Sequence, residues 1–461
     1  MAHVVVVGGG VTGLSAAWHL LTHSDHDIVV LESAAQVGGK LQTAEIAGQR
    51  IDVGAESMLA RRPEALDLLS ELGAAPVHPA PVGAQVWSRG TLRDLPKGTL
   101  MGVPAHASDA LGVLDAVEVA RADAEQPVQV EGDLTVGDLV EQALGPAVVD
   151  RLVEPLLGGV YAGHARLLSA EACVPALFEA VRAGRSLAAT ATAATAGAGT
   201  RAGAPVFAGL DGGVGQLPVL LADAITRRGG SIRTGVTVRE MRRTPTGGWQ
   251  LVTGPVPHPV LVEADAVVLA TPARPTSRLL ASTAPEAGRL LADLDYASMA
   301  IVTMAFARSE LLTVPTGSGF LVPPVDGRTI KASTFSSAKW PWLADAAPGL
   351  FVLRVSMGRQ GEEAVLQRDD EDLVAAGRAD LRSAIGALPQ PVDTHVQRWG
   401  GGLPQYAVGH VDRMAQVMAS VERVGGLEVA GAAYSGVGIP ACIASGRAAA
   451  GRVLTRLRAV A

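Results

Sequence analysis

The sequence predicts an α/β fold in three parts: a parallel-sheet domain built from discontinuous segments, a second domain on an antiparallel sheet, and a mainly helical insertion. A valine-rich run that leads through glycines into a helical pattern, residues 4–21, indicates the first part. Several β-like runs between residues 296 and 357 indicate the second. Residues 105–185 have helical patterns and few β-branched clusters, and they indicate the third.

The three parts are predicted to occupy interleaved segments of the chain. The parallel-sheet domain takes residues 1–75, 206–275 and 425–461, the antiparallel-sheet domain takes 76–104 and 276–424, and the helical domain takes 105–205. Within the helical domain, the low-complexity run 186–204 predicts a flexible surface loop.

The glycine turn after the first strand predicts a nucleotide site. Gly8, Gly10 and Gly13 have the spacing G-x-G-x-x-G. The first glycine permits a tight turn, the second lets the backbone approach a pyrophosphate, and the third lets helix and strand pack closely. The N–H groups at the start of the helix, at Val11 and Thr12, would face the phosphate. The turn therefore predicts a Rossmann-like domain.

The second strand supports the same interpretation. The apolar run 28–31 ends in Glu32, 24 residues after Gly8, and Ser33 follows it. A carboxylate at this position accepts hydrogen bonds from the ribose of an adenine dinucleotide. Both FAD and NAD satisfy the pattern up to this point.

Two later segments favour a flavin. Gly38 and Gly39 precede the basic residue Lys40. The segment "DVGAES", residues 52–57, is a third place where the backbone can come close to a ligand. NAD dehydrogenases do not need these segments, whereas a cofactor that extends beyond its pyrophosphate does.

Together these motifs resemble those of the flavoprotein family that includes amine oxidases, phytoene desaturases and protoporphyrinogen oxidases. Lys40 replaces the arginine that is usual in the family, so its phosphate contact would be a point charge. Three blocks, residues 154–170, 335–344 and 434–450, resemble the protoporphyrinogen and coproporphyrinogen oxidases. The chain departs from that pattern at His164, Gly431-Ala432 and Ala441, where many members carry an acid.

The resemblance implies non-covalent FAD. Carried over position by position, it assigns to the cofactor site Gly8, Gly10, Val11, Thr12, Gly13, Glu32, Ser33, Gly39, Lys40, Gly54, Ala55, Glu56, Ser57, Val238, Ala432, Val437, Gly438 and Ile439. Val238 would pair with adenine through its backbone. The alternative is that Val238 only packs in the core of a strand. Cys442 is expected to pack beside the flavin helix, because its only fellow cysteine, Cys173, is distant in sequence.

The resemblance also implies the reaction. A porphyrinogen would be oxidised to a porphyrin by three successive hydride transfers to FAD, which passes electrons to O₂. Since FAD carries the chemistry, no catalytic side chain is assigned. The protein would supply a dry, flat cavity and cations for the substrate's propionates. The candidate cations are Arg61, Arg62, Arg166 and Lys339, with Arg61 and Lys339 favoured, and Tyr161 and Tyr406 are candidates for the cavity wall or for plain packing.

Coproporphyrinogen III is the favoured substrate, with protoporphyrinogen IX as the alternative. Coproporphyrinogen has four propionates and protoporphyrinogen two, and no strongly apolar docking segment stands out in the sequence. A flavin amine oxidase is a more distant alternative, because residues 425–450 lack the expected aromatic cage.

Composition excludes several other classes of protein. The net charge of −7 and the pI of about 5.8 disfavour nucleic acid as a partner. Two cysteines far apart make a disulfide framework or a thiolate metal site improbable, and no metal is predicted. No apolar run has the length of a membrane span. A cytoplasmic location is predicted, with peripheral membrane contact and contact with downstream haem-pathway enzymes left open.

Overall fold

The structure is a computed structural model that describes residues 1–199 and 205–460. It confirms the predicted α/β class, with a parallel sheet, a mainly antiparallel sheet and a helical region. No helix in the described ranges combines the length and the hydrophobicity that a membrane span requires.

The parallel sheet has five strands. In spatial order they are Ser231–Arg233, Asp27–Leu31, His3–Val7, Ala266–Leu269 and Leu427–Val429. Val5 on the central strand pairs with Val29 on one side and Val267 on the other. Both faces of the central strand are buried, which explains its uninterrupted valines.

Helices cover both faces of this sheet. Val4 and Val6 pack against one helical layer, and Val5 and Val7 pack against the other. The first layer consists of Val11–His23, Pro63–Glu71, Gln216–Arg227 and Ile439–Val460. The second layer consists of Ala273–Leu280, Pro285–Ala292 and His410–Glu422. The alternation of side chains along one strand thus joins two hydrophobic cores.

Short antiparallel sheets flank the parallel sheet. One has three strands, Glu240–Arg243, Trp249–Thr253 and Val260–Ala264. Three others are pairs: Thr43–Ile46 with Gln49–Asp52, Met58–Leu59 with Phe207–Ala208, and Thr99–Leu100 with Val103–Pro104.

The second large sheet has seven strands. Their order is Asp393–Pro404, Tyr296–Ala307, Leu350–Met357, Ile330–Thr334, Gly319–Leu321, Ala84–Ser88 and Thr91–Asp94. Every pair is antiparallel except Gly319–Leu321 with Ala84–Ser88. One face packs on the helix Asp370–Ile385 and the turn Glu363–Gln367. The helices Ser336–Lys339 and Pro341–Ala346 and the turns Arg308–Glu310 and Pro324–Asp326 connect its strands.

The helical region has its own core. Its elements are Ala107–Ala110, Ala116–Asp123, Val136–Leu144, Pro146–Val148, the wide turn Val149–Val153, Glu154–Tyr161, Ala170–Cys173, Pro175–Arg182 and Leu187–Gly199. Leucine and valine side chains from these elements form one continuous buried cluster.

The last of these helices corrects the sequence prediction. Residues 187–199 form a helix instead of the flexible loop predicted for 186–204, of which residues 200–204 lie outside the described ranges. Alanine has the highest helix propensity, so a low-complexity alanine run can form a helix once its start is capped. The cap is present, because Ser186 Oγ accepts from Ala189 N at 3.0 Å and Glu125 accepts from Leu187 N at 2.5 Å.

Candidate functional site

Four glycine-containing segments meet beyond the carboxyl end of the central strand His3–Val7. They are residues 8–13, 38–40, 54–57 and 431–439. Gly38 N donates to Gly9 O at 2.8 Å, and Ala55 N donates to Lys40 O at 3.3 Å. This edge of an open parallel sheet is where ligands bind, so the fold brings the predicted loops to the expected place.

Gly10 and Gly39 lie side by side where the two glycine loops meet. A Cβ atom placed on Gly10 would have Gly39 Cα as its nearest neighbour, at 3.9 Å. A Cβ atom on Gly13 would instead lie 1.9 Å from Gly8 O, inside the packed turn. Gly13 is therefore required by the fold itself, whereas Gly10 leaves space for a ligand.

Glu32 lies beside the glycine turn, where the spacing predicts it. Its carboxylate accepts from Gly9 N at 2.6 Å and from Ala34 N at 2.7 Å, and Ser33 Oγ donates to it at 3.2 Å. The carboxylate therefore also organises the backbone of the turn.

Lys40 and Ala55 line a recess between these loops. Protein atoms surround Lys40 closely enough that desolvation lowers the pKa of its ammonium group. Both side chains nevertheless keep accessible surface, although Gly38 and Glu56 next to them are buried. A side chain that is closely surrounded by protein atoms and still keeps accessible surface lies at the wall of a recess. The ammonium is also near the buried Cys442, where burial raises the pKa of the thiol and Lys40 opposes that rise.

The C-terminal loop at this recess is anchored by Tyr406. Its hydroxyl donates to Ala432 O at 2.5 Å and accepts from Gly436 N at 2.8 Å, and its ring stacks on His410 at 3.8 Å. Tyr406 is only 2% exposed. It therefore acts from behind the loop that contains Val437, Gly438 and Ile439, which favours the packing role over the wall role.

Val238 lies between strands rather than inside one. Its side chain is half-buried against the core on the second face of the parallel sheet. Within the described ranges no hydrogen bond is made by its N–H or C=O group, while Val236 N nearby donates to Glu32 O at 2.8 Å. A backbone with unused hydrogen-bonding groups next to Glu32 suits the adenine contact predicted for it.

Glu56 and Arg354, which are buried, and Lys339, which is half-buried, form an ionic cluster. Lys339 Nζ donates to Glu56 at 2.6 Å, and Arg354 lies 3.2 Å from the same carboxylate. Arg354 also donates to Asp52 O at 2.7 Å. Glu56, predicted at the cofactor, and Lys339, predicted at substrate carboxylates, are thus ion-pair partners in the structure.

A second recess lies between the helix Glu154–Tyr161 and the face of the seven-stranded sheet opposite its core. Gly159 and Val160 are exposed on this helix, and a Cβ on Gly159 would lie 3.9 Å from Leu321 Cδ2. Tyr161 ends the helix, with its ring 5.5 Å from that of Tyr406. Tyr161 therefore packs on the buried residue that anchors the C-terminal loop.

The remaining predicted cations lie at the surface. Arg61 is exposed, and Arg62 pairs with Glu64. Arg166 is exposed and pairs with Asp150 at 2.7 Å and Glu141 at 2.6 Å. Arg166 is therefore a solvent-exposed surface charge that pairs with two carboxylates.

Three buried cations, Lys331, Arg354 and Arg359, were not predicted from the sequence. Lys331 and Arg359 are each only 3% exposed, and Arg354 is 9% exposed. A lysine inside the apolar strand "TIKASTF" is the signal that could have found the first, since lysine is almost never fully buried without a partner. Nothing in the described ranges groups histidine, cysteine and carboxylate side chains closely enough for a metal ion.

Comparison with known proteins agrees with this geometry. The family model of flavin-containing amine oxidoreductases matches residues 11–454. The coproporphyrinogen III oxidase of Mycobacterium tuberculosis is 37% identical over 98% of this chain and 96% of its own. That of Bacillus subtilis is 30% identical over 99% and 98%. The protoporphyrinogen oxidase of Bos taurus is 28% identical over 98% of each chain.

Solved structures show the same relation. The crystal structure of a protein from Exiguobacterium sp. 255-15 has a TM-score of 0.84, with 30% identity over 99% of each chain. Putrescine oxidase, at 17% identity and a TM-score of 0.71, shares the fold alone. The chain therefore belongs to the family of flavin-containing amine oxidoreductases, in its branch of porphyrinogen oxidases.

Proposed function

We propose that this flavoenzyme oxidises coproporphyrinogen III to coproporphyrin III, with FAD as cofactor and O₂ as acceptor. The observation that carries the proposal is the set of relatives named coproporphyrinogen III oxidase, which are 27–37% identical over nearly the whole chain. The relative named protoporphyrinogen oxidase is 28% identical.

The residues at the sheet edge fit FAD. A Cβ atom on Gly10 would have no protein atom within 4 Å except Gly39 Cα, which supports close approach of a pyrophosphate to this backbone, and the neighbouring Glu32 and Lys40 support a ribose contact and a positive charge for the phosphates. When bound, FAD would supply a two-electron acceptor that O₂ reoxidises with release of H₂O₂, so that three turnovers would remove the six hydrogens and form three H₂O₂.

The chain's own contribution is then to bind, to orient and to exclude water. Gly159, Val160 and Leu321 present apolar surface between the helix Glu154–Tyr161 and the seven-stranded sheet, and such surface suits a flat tetrapyrrole. Tyr406 holds the C-terminal loop from behind.

The flavin is expected to be non-covalent. Of the two cysteines, Cys442 is buried with Sγ 3.9 Å from Val437 O, and Cys173 lies in the core of the helical region. Acid precipitation of the yellow protein should release the flavin into the supernatant, where chromatography should identify it as FAD. A flavin that remains in the pellet would contradict this.

Substrate preference provides the main test. Coproporphyrinogen III should be turned over with a kcat/KM about tenfold or more above that of protoporphyrinogen IX, because two more propionates offer further charge-assisted contacts of about 1.5–3 kcal/mol each. Solvent screening reduces that sum. The preference should decrease as ionic strength rises, and Arg61→Ala should reduce it without changing the flavin spectrum.

The assay follows porphyrin fluorescence on both substrates under O₂, at two salt concentrations. Three H₂O₂ per porphyrin should be formed, from the stoichiometry of six hydrogens. Faster turnover of protoporphyrinogen, or a preference that salt does not change, would reject coproporphyrinogen as the substrate.

A further inference from the structure

Lys331 is a buried lysine with no carboxylate partner in the described ranges. It lies on the strand Ile330–Thr334 and is 3% exposed. Within the described ranges its ammonium makes one side-chain hydrogen bond, a long one to Met299 Sδ at 4.0 Å. The half-buried ammonium of Lys339, by contrast, has Glu56 at 2.6 Å. Burying a charged group without a partner is unfavourable, so Lys331 calls for a functional explanation.

The register of the sheet directs Lys331 toward the recess. Ile330 pairs with Met357 and Ala332 with Ser356, so Lys331 is the extra residue of a β-bulge. Ser333 faces the hydrophobic core on the opposite face of the sheet, with its partners Phe320 and Val355.

Ala332 faces the side of the sheet on which the helix Glu154–Tyr161 packs. It pairs with Leu321, and the exposed Gly159 of that helix lies next to Leu321. Met299, which Lys331 contacts, is half-exposed. The bulge thus places the ammonium just behind Met299 on the recess side of the sheet. Methionine is flexible and can move aside for a ligand.

A second cation lies beside it. Arg359 is also 3% exposed and donates to Val322 O at 3.1 Å and to Glu362 at 3.3 Å. Desolvation and then Arg359 lower the pKa of Lys331 to about 7, while Glu362 opposes them. The helix packed on this strand brings Glu154, but His164 lies 2.9 Å from that carboxylate. Among the described residues, the exposed Glu362 therefore pairs with Arg359, and no carboxylate pairs with Lys331.

We propose that Lys331 and Arg359 form an anion subsite that receives one carboxylate of the substrate. This inference rests on the proposed function, since a porphyrinogen with propionates supplies that carboxylate. A bound carboxylate would complete the charge balance that the protein leaves open, and Arg359 offers a geometry suited to carboxylates.

Binding of the stable product, coproporphyrin III, to the flavin-loaded enzyme tests the subsite by fluorescence titration. Lys331→Met should weaken binding about tenfold or more, as loss of one charge-assisted contact predicts. Lys331→Arg should stay within about threefold of the natural protein, because it keeps the charge. Lys97→Met, the same change at an exposed position, should have no effect.

The pH profile separates binding from a structural role. An anion requires the protonated ammonium, so affinity should fall as pH rises from 7 to 9, by up to about tenfold per pH unit. The Lys331→Arg variant should show no such fall, and Lys331→Met should bind weakly at every pH in that range. An unchanged melting temperature and flavin spectrum in Lys331→Met would show that the fold is intact.

Two outcomes would overturn the subsite: unchanged affinity in Lys331→Met, or the same pH profile in that variant as in the natural protein. Failure of the proposed function would look different, because the natural protein would then not oxidise coproporphyrinogen. Turnover together with Lys331-independent binding rejects the subsite and keeps the reaction. Lys331-dependent binding without turnover rejects the reaction and keeps the subsite.

Discussion

The Gly10→Val variant is expected to fold normally and to lose its flavin. A Cβ atom at Gly10 would meet no protein atom closer than Gly39 Cα at 3.9 Å, so a β carbon at this position does not clash with the fold. The side chain would enter the space beside the turn that is proposed for the pyrophosphate. We expect flavin affinity to fall at least about a hundredfold, or ~2.7 kcal/mol.

Two other glycines serve as controls for this substitution. Gly13→Val should fail to fold, because its Cβ would lie 1.9 Å from Gly8 O. Gly132→Val should change neither folding nor flavin affinity, since Gly132 is exposed and has nothing within 4 Å of a Cβ atom. The contrast separates a glycine needed by the ligand from one needed by the turn.

Titration of FAD into the purified apoproteins, followed by flavin fluorescence, measures the effect. Glu32→Ala should lose less than Gly10→Val, because hydrogen bonds to a charged group contribute about 1.5–3 kcal/mol. Equal losses in the two variants would mean that the turn does not surround the pyrophosphate. Circular dichroism of each apoprotein checks that it is folded.

The features that could be predicted from the sequence are the local ones. The spacing of Gly8, Gly10 and Gly13 predicts the turn, because these glycines are needed only by the strand and the helix on either side of it. The position of Glu32 is predictable because one βαβ unit has a nearly fixed length. The parallel sheet follows as well, because the uninterrupted valines of residues 4–7 predict burial on both faces.

The charged pairs could not be predicted, because they depend on distant segments. Glu56 and Lys339 are 283 residues apart and meet only when the 52–57 segment packs on the seven-stranded sheet. Lys331 reaches the recess side only because a bulge inserts it between the partners of Ile330 and Ala332. The helix Leu187–Gly199 was missed for a different reason: its composition suggests low complexity, although alanine favours a helix.

Glu56→Gln is expected to destabilise the fold strongly although it keeps the shape of the side chain. Glu56 is 9% exposed and lies between Lys339 Nζ at 2.6 Å and Arg354 at 3.2 Å. A neutral glutamine would leave two buried cations without their carboxylate, which typically costs about 3–5 kcal/mol. By contrast, Glu179→Gln removes a surface pair with Arg182 and should change stability by less than about 1 kcal/mol.

The pH dependence of this effect identifies its cause. Burial alone would raise the pKa of Glu56, but Arg354 and Lys339 outweigh burial and hold the pKa at about 2, below its ordinary value of 4.5. A carboxylate with a depressed pKa stabilises the fold fully above pH 4.5, and this stabilisation is lost as pH falls toward 2. Urea unfolding should therefore show a deficit for Glu56→Gln of about 3 kcal/mol at pH 7 that shrinks below pH 4.5.

Running both proteins at two FAD concentrations controls for ligand stabilisation, because a change in flavin affinity would make the deficit depend on FAD. A deficit that stays constant between pH 7 and pH 3 would show that shape, and not charge, explains the loss.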